Sequence, residues 1–204
     1  MADQFEFYKR LAWERIIRDR EIGYLDPDIF DLLQAFFSRP KTFTISSCSG
    51  RVTIVDSEFP WERKGSTVVF KNHLRVTAED LRYNLAKKPY KKYWLIVQGP
   101  IVHAYTKDVE EAWELLGIAR KAGFKHSGIM TRNEKGYLVE LRTGVRMVHL
   151  LDESQDLERV AEEAMKILMK GKEKKEKLKQ AILESLDVDN PVELGQNPVG
   201  EPEP

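Results

Sequence analysis

Twice along this chain the spacing of apolar residues changes from strand-like to helical, and this double change restricts the fold more than any other feature. An opening helix over 3–21 carries Phe5, Leu11 and Ile16 at helical spacing beside Trp13 and Ile17, and Gly23 ends it. A second, short helix is expected from about Pro27, with Asp26 as N-cap and the proline in the first turn. Its apolar face is Ile29, Leu32, Leu33, Phe36 and Phe37. The β-rich runs 42–47 and 51–56, joined by Cys-Ser-Gly, suggest two strands about a tight turn. A strand over 66–71 and a helix over 77–86, opened by a capping box from Thr77 to Asp80, complete the first round. The second round has strands at 93–98 and 101–105, broken by Gly99-Pro100, and an amphipathic helix over 108–122 closed by Gly123. Strands at 126–131, 137–142 and 145–150 end it, the last two joined around Thr143-Gly144. A long charged helix from 154 to about 186 follows, with a break expected near Gly171.

The rounds, 42–88 and 93–150, imply a duplicated strand–helix unit inside one domain over 1–186, with an acidic flexible tail over 187–204. Their interleaving is hairpin-like and not strictly β-α-β-α, so the fold class is α+β and not a doubly wound sheet.

Charge sharpens this division. The chain of 204 residues holds 33 Lys and Arg against 33 Asp and Glu, a formal net charge of zero. Six of the acids (Glu184, Asp187, Asp189, Glu193, Glu201 and Glu203) fall after Leu183, where there is no Lys or Arg. Without them the body carries +6, so the neutral total conceals a basic surface suited to an anionic partner. The single cysteine, Cys48, can form no internal disulfide and no thiolate metal site by itself, which suits a reducing cytoplasmic setting. The N-terminus mixes charges through its apolar residues and is not a signal peptide, and no apolar run is long enough to span a bilayer.

The most unusual stretch is Ile45-Ser-Ser-Cys-Ser-Gly-Arg51. Three hydroxyls, a glycine and an arginine in one turn can aim donors at an anion, with Arg51 as bidentate partner for a carboxylate or phosphate. The same residues equally make a polar hairpin with Gly50 at positive φ and Cys48 as a small buried filler. His103 stands in a strand about to enter a helix, where an imidazole can move a proton or merely satisfy a backbone carbonyl. None of the four histidines has metal-ligand spacing, so no metal is expected. From Leu81 to Lys107 six basic residues occur with no acid, and Lys91 and Lys92 alternate there with Tyr90 and Trp94. Lysines for phosphates beside aromatics for bases suit RNA, and a solvated loop has the same composition. No G-x-G-x-x-G, P-loop or G-x-S-x-G motif is present.

Four blocks in order, Ser46-Ser-Cys-Ser-Gly-Arg51, Pro100-x-x-His103, Gly123-Phe-Lys-His-Ser-Gly-Ile129 and Leu138-Val-Glu-Leu-Arg142, resemble the third wybutosine-synthesising protein family of archaea and eukaryotes. The resemblance runs from about Phe5 to the long C-terminal helix. It departs upstream, where the family's Asp-x-Ser-x-Lys-Gly is Asp19-Arg-Glu-Ile-Gly23, without the serine and lysine.

The resemblance implies an S-adenosylmethionine-dependent methyltransferase that acts on ring nitrogen N4 of the demethylwyosine precursor at position 37 of tRNA-Phe. It also implies a non-Rossmann, barrel-like mixed or antiparallel sheet. On this footing Ser46, Ser47, Ser49, Gly50 and Arg51 are expected to hold the cofactor, and His103 to act as base. Ser127, Arg142, Tyr90, Trp94, Lys91 and Lys92 are expected at the substrate. No membrane and no obligate protein partner are implied. The alternative class is a non-catalytic module that binds modified tRNA, which need not bind the cofactor. A thiol enzyme built on Cys48 and His103 would be a third.

Overall fold

The computed structural model describes residues 4–189. Its elements in chain order are α1 (Gln4–Glu21), α2 (Phe30–Ser38), β1 (Thr42–Cys48), β2 (Arg51–Asp56), β3 (Thr67–Asn72), α3 (Ala78–Leu85), β4 (Tyr93–Gln98), β5 (Ile101–Thr106), α4 (Val109–Lys121), β6 (Gly128–Asn133), β7 (Gly136–Arg142), β8 (Arg146–Leu150) and α5 (Leu157–Asp189). The acidic tail expected over 187–204 lies, from 190 onward, outside the described residues.

The strands form two four-stranded antiparallel sheets, ordered β1-β5-β7-β6 and β3-β2-β4-β8. Three long strands run through both. β1 continues as β2, β4 as β5 and β7 as β8, each bent where it leaves one sheet for the other. Strands β6 and β3 extend this bent ribbon on opposite sides. The α+β class and the duplicated strand–helix units stand, but the barrel does not. Closure would need the outer strands of a sheet to pair, and among the described residues neither β1 with β6 nor β3 with β8 does so. The bends prevent it, because they direct each long strand into a second sheet instead of around a closed circuit.

The tight turn expected between β1 and β2 is likewise a bend. β1 pairs with β5, and β2 with β3 and β4. Ser49-Gly50 lies opposite Gly99-Pro100, since Cys48 faces Ile101 and Arg51 faces Gln98. Gly50 has φ +96, and a Cβ there would come within 3.0 Å of the Gln98 carbonyl. Both constraints select glycine.

Helix α5 crosses beneath the bends. Its N-terminal half, with Leu157, Ala164 and Leu168, joins Val52, Leu95 and α3 in one core, and its Leu178 and Ile182 join Val102, Leu141, α2 and α4 in the other. The break expected at Gly171 does not occur; the helix is continuous. Gly171 is there because a Cβ would meet Gly99 Cα and Pro100 Cδ at 3.2 Å, so the helix touches the strand bend backbone to backbone. Buried Arg39 ties the ends together, donating to Glu111 from Nε at 2.7 Å and to Ser185 Oγ on α5 at 2.7 Å.

The capping box is present: Asp80 N donates to Thr77 Oγ1 at 3.1 Å and Thr77 N to Asp80 Oδ2 at 2.8 Å. Asp108 caps α4. Asp26 is no cap, however. Helix α2 starts only at Phe30, and Asp26 belongs to a loop that folds back onto Ser49. Helix α1 packs on the other face of the first sheet through Phe5, Phe43 and Tyr105. No helix among the described residues is long and apolar enough to cross a membrane.

Candidate active site

Between α1, the loop after it and the strand bend lies a cavity of about 760 Å³. Its walls include Tyr8, Leu11, Arg15 and Asp19 of α1, Tyr24 and Asp26 of the loop, and Ser46, Ser47, Cys48 and Arg51 of the motif. Leu11, on the apolar stripe of α1, is 43 % exposed because it faces this space instead of the core.

The motif divides in two. Ser46, Ser47, Cys48 and Arg51 line the cavity, whereas Ser49 is fully buried and holds the bend. Its N–H donates to Asp26 Oδ2 at 2.8 Å, and its Oγ accepts from Lys172 Nζ of α5 at 2.8 Å. The Gly50 carbonyl accepts from His73 Nδ1 at 3.1 Å. Lys172 and Lys175, both nearly inaccessible, are neutralised by Asp28 at 2.8 and 2.9 Å. Burial pushes the Asp28 carboxyl up, but the two lysines outweigh it and hold it below the usual range. Ser47 Oγ is buried with no hydrogen-bond partner among the described residues, a cost unless a ligand satisfies it.

A bulge decides where Ser46 points. Thr44 faces Ala104 and Ser46 faces His103, leaving Ile45 as the extra residue. Without the bulge Thr44 and Ser46, two apart, would share the helix-packed face; with it Ser46 turns to the face covered by α1. There Ser46, His103 and Glu140 stand side by side on β1, β5 and β7. Ser46 Oγ is 3.0 Å from His103 Nδ1, and His103 Nε2 is 3.0 Å from Glu140 Oε2. An ionised carboxylate only accepts, so the proton sits on Nε2 and the Nδ1 lone pair faces the Ser46 hydroxyl. His103 does not line the cavity itself; Ser46 stands between.

A second imidazole lines the cavity. His73 Nδ1 is 3.1 Å from Asp26 Oδ2 and 3.9 Å from Cys48 Sγ. The Asp26 hydrogen bond first and Cys48 next raise its pKa to about 9, so it is an imidazolium at neutral pH. Burial pushes Asp26 up, and the His73 and Ser49 hydrogen bonds more than reverse that. Asp26, Cys48 and His73 lie within 4.8 Å of one another, but Nδ1 donates to Asp26 and Gly50 and has no lone pair for a metal.

The remaining expected residues lie elsewhere. Ser127 Oγ donates to Phe124 O and accepts from Arg142 N at 3.0 Å, which joins two of the four sequence blocks, and the Arg142 guanidinium is 3.9 Å from Glu140. Tyr90 is exposed, and Trp94 Nε1 donates to Ser57 O. Lys91 Nζ reaches Gly65 O, and Lys92 pairs with Glu58. Glu140 and His73 carry no expected role from the sequence, and Asp26 only that of a helix cap. Glu140 has a signal, as a carboxylate between apolar neighbours in mid-strand; His73 has none, because its partners are distant in the chain.

The family described as Methyltransferase TYW3 matches residues 5–187. A tRNA(Phe) 7-((3-amino-3-carboxypropyl)-4-demethylwyosine(37)-N(4))-methyltransferase of Saccharolobus solfataricus is 52% identical over 202 residues, covering 95% of each chain. A protein of the same description from Archaeoglobus fulgidus is 33% identical, covering 88% of this chain and 97% of its own. Among solved structures, the PH1069 protein from Pyrococcus horikoshii superposes with a TM-score of 0.81 at 30% identity, covering 88% of this chain and 96% of that one. A hypothetical protein from Aeropyrum pernix gives 0.71 at 28% identity, over 78% and 98%. Matched over nearly all its described length, with the motif, His103 and the cavity in one place, this chain belongs to the TYW3 methyltransferase family.

Proposed function

We propose that the methyl group moves in the cavity under α1, with the Ser46–His103–Glu140 row taking the proton that the reaction releases. The protein is an S-adenosylmethionine-dependent tRNA methyltransferase that methylates N4 of the 7-aminocarboxypropyl-demethylwyosine precursor at position 37 of tRNA-Phe. Its residues fit the cofactor. The cavity falls within the ~300–1,000 Å³ usual for such ligands, Ser47 Oγ needs a partner, and Arg51 has no ion pair among the described residues. Ser47 and Arg51 would hold the carboxylate of the cofactor's amino-acid end, Ser49 and Gly50 fixing the bend that presents them. Bound there, S-adenosylmethionine supplies an electrophilic methyl on a sulfonium.

This chain positions the reactants and handles the proton. As the N4–CH₃ bond forms, the N4 proton passes to the Ser46 oxygen while the Ser46 proton passes to His103 Nδ1. Glu140 fixes the tautomer of the neutral imidazole before the transfer and stabilises the imidazolium that results. Arg142 and Ser127, beside Glu140, would take the substrate's carboxypropyl group or a phosphate, and Tyr90, Trp94, Lys91 and Lys92 the RNA around it. The cytoplasmic setting is supported by the unpaired Cys48.

The observation that carries the assignment is the row of Ser46, His103 and Glu140, whose Ser46 end lines the cavity. Calorimetric titration with S-adenosylmethionine and S-adenosylhomocysteine, alone and with precursor-bearing tRNA, tests the cavity. Saturable binding that Arg51→Ala abolishes is expected. Binding undiminished in Arg51→Ala would move the cofactor elsewhere.

A further inference from the structure

Among the described residues, one face of the second sheet has no element packed on it. Helices α3 and α5 pack on one side of it, against Val52, Ile54, Leu95 and Val97. On the other side alternate residues line up across the strands: Val68 and Val55 with Trp94 and Leu150, then Lys71 and Thr53 with Ile96 and Val148, then Arg51 with Gln98 and Arg146. Val68, Val148 and Leu150 are 57 %, 39 % and 44 % exposed, and Trp94 and Ile96 are half-buried. An apolar strip of this size on an ordered sheet calls for an occupant.

The charge at its ends says which. At one end Arg51 and Lys71 belong both to this face and to the cavity, with Arg146 next to them, and none of the three has an ion pair among the described residues. At the other end, about 17 Å away along β2, the loop after that strand presents Phe59 and Trp61, stacked at 5.1 Å with planes 10° apart and both exposed. That loop is held rigidly. Glu62 Oε2 accepts the Glu58 and Phe59 N–H groups, Ser57 Oγ donates to Phe59 O, and the carboxylate of Asp56 accepts from Tyr90 N and Lys91 N. Arg63 and Lys64 follow in the loop, and Tyr90 beside it is 94 % exposed.

We propose that the open face of the β3-β2-β4-β8 sheet, from Arg51 and Arg146 to the Phe59–Trp61 pair, binds unpaired nucleotides of the tRNA as the target base enters the cavity. This rests on the functional reading above. Flat apolar and aromatic side chains stack on bases whatever their sequence, and cations flanking them neutralise phosphates. An apolar face alone would suit a protein partner. The free cations at the cavity end, shared with the reaction site, and the rigid aromatic pair at the other end favour single-stranded RNA.

The test measures affinity for precursor-bearing tRNA-Phe by fluorescence anisotropy, and for S-adenosylmethionine by calorimetry, on the full chain. Val148→Glu and Trp61→Ala are expected to raise the tRNA Kd at least tenfold and leave the cofactor Kd within twofold. Val148→Lys should bind tRNA as well as the wild type or better, which separates lost complementarity from damage to β8. Trp113→Glu, on the exposed side of α4, should bind normally. Equal weakening by Val148→Glu and Val148→Lys, or unchanged tRNA affinity in both Val148→Glu and Trp61→Ala, overturns this surface alone. A wild-type chain that binds cofactor but no tRNA overturns the functional reading and the surface with it.

Discussion

Ser46 Oγ and His103 Nδ1 lie 3.0 Å apart across β1 and β5, although 57 positions separate them in the chain. The contact exists because the bulge at Ile45 turns Ser46 to the cavity side, and Glu140 orients the imidazole from behind. If this row removes the N4 proton, His103→Ala lowers the single-turnover rate by about 10²–10⁴-fold with the cofactor Kd unchanged. Ser46→Ala acts in the same direction. Glu140→Gln, which keeps the shape and loses the charge, gives a smaller loss. Rapid-quench methyl transfer at saturating cofactor measures all three, and a full rate in His103→Ala removes the imidazole from the mechanism.

Cys48 shares the cavity wall, yet methyl transfer to N4 needs no covalent enzyme intermediate. Cys48→Ser should therefore retain activity within about tenfold, far less than the loss expected for a missing nucleophile. Complete inactivation of a variant that still binds cofactor would show that the thiol reacts.

The Asp26–His73 pair links stability to pH. The folded His73 pKa, about 9, lies above the unfolded value of 6.5, so the pair's contribution is full below pH 6.5 and lost as pH rises through 9. The most it can supply is about 3 kcal/mol. Asp26, held below its ordinary range, adds stability above pH 3.8 that is lost on acidification. Urea unfolding at pH 6 and pH 10 should show a larger decrease for the wild type than for His73→Gln. Equal decreases would mean that the imidazolium pair is not formed.

Arg39 and Glu111, almost completely buried, form an ion pair at 2.7 Å, and Thr42 adds a hydrogen bond to the same carboxylate. Burial raises the Glu111 carboxyl, but Arg39 more than compensates and holds it low. Arg39→Ala leaves that charge unpaired and should cost about 3–5 kcal/mol in chemical denaturation. The double variant Arg39→Met/Glu111→Leu should cost less than Arg39→Ala alone, because no charge remains buried. A larger loss in the double variant would contradict this account.

Gly171→Val inserts a side chain whose Cβ alone would come within 3.2 Å of Gly99 Cα and Pro100 Cδ. The helix must move from the strand bend, and Lys172, next in sequence, with it. Thermal unfolding should fall by several degrees, and cofactor affinity with it, since Lys172 holds Ser49. Unchanged affinity would separate the bend from the cofactor site.

The sequence alone determined much of the secondary structure and the family, because both depend on local pattern. Helical spacing in α4, the Thr77–Asp80 box and the alternation in β4 are decided by neighbours within a few residues, and the structure has all three. The motif from Ser46 to Arg51 was conspicuous because its composition is unusual over six consecutive positions. Local pattern does not reveal which strand pairs with which. Cys48-Ser-Gly50 looks like a tight turn in sequence and Gly99-Pro100 like a strand break, but a glycine at positive φ such as Gly50 serves a bend between two sheets equally well, and only the pairing of β1 with β5 and β2 with β4 distinguishes them. The same limit applies to the site. Ser46 and Thr44 share a face by alternation, and a bulge, set by contacts with β5, parts them. His73 meets Asp26 and Cys48, and Glu140 meets His103, through packing between segments far apart in the chain. Alternation and helical period are fixed by backbone geometry over a turn or two, so the chain carries them by itself. Register, bulges and the charge environment of a buried imidazole depend on which distant groups share its surroundings, and only the tertiary structure decided those.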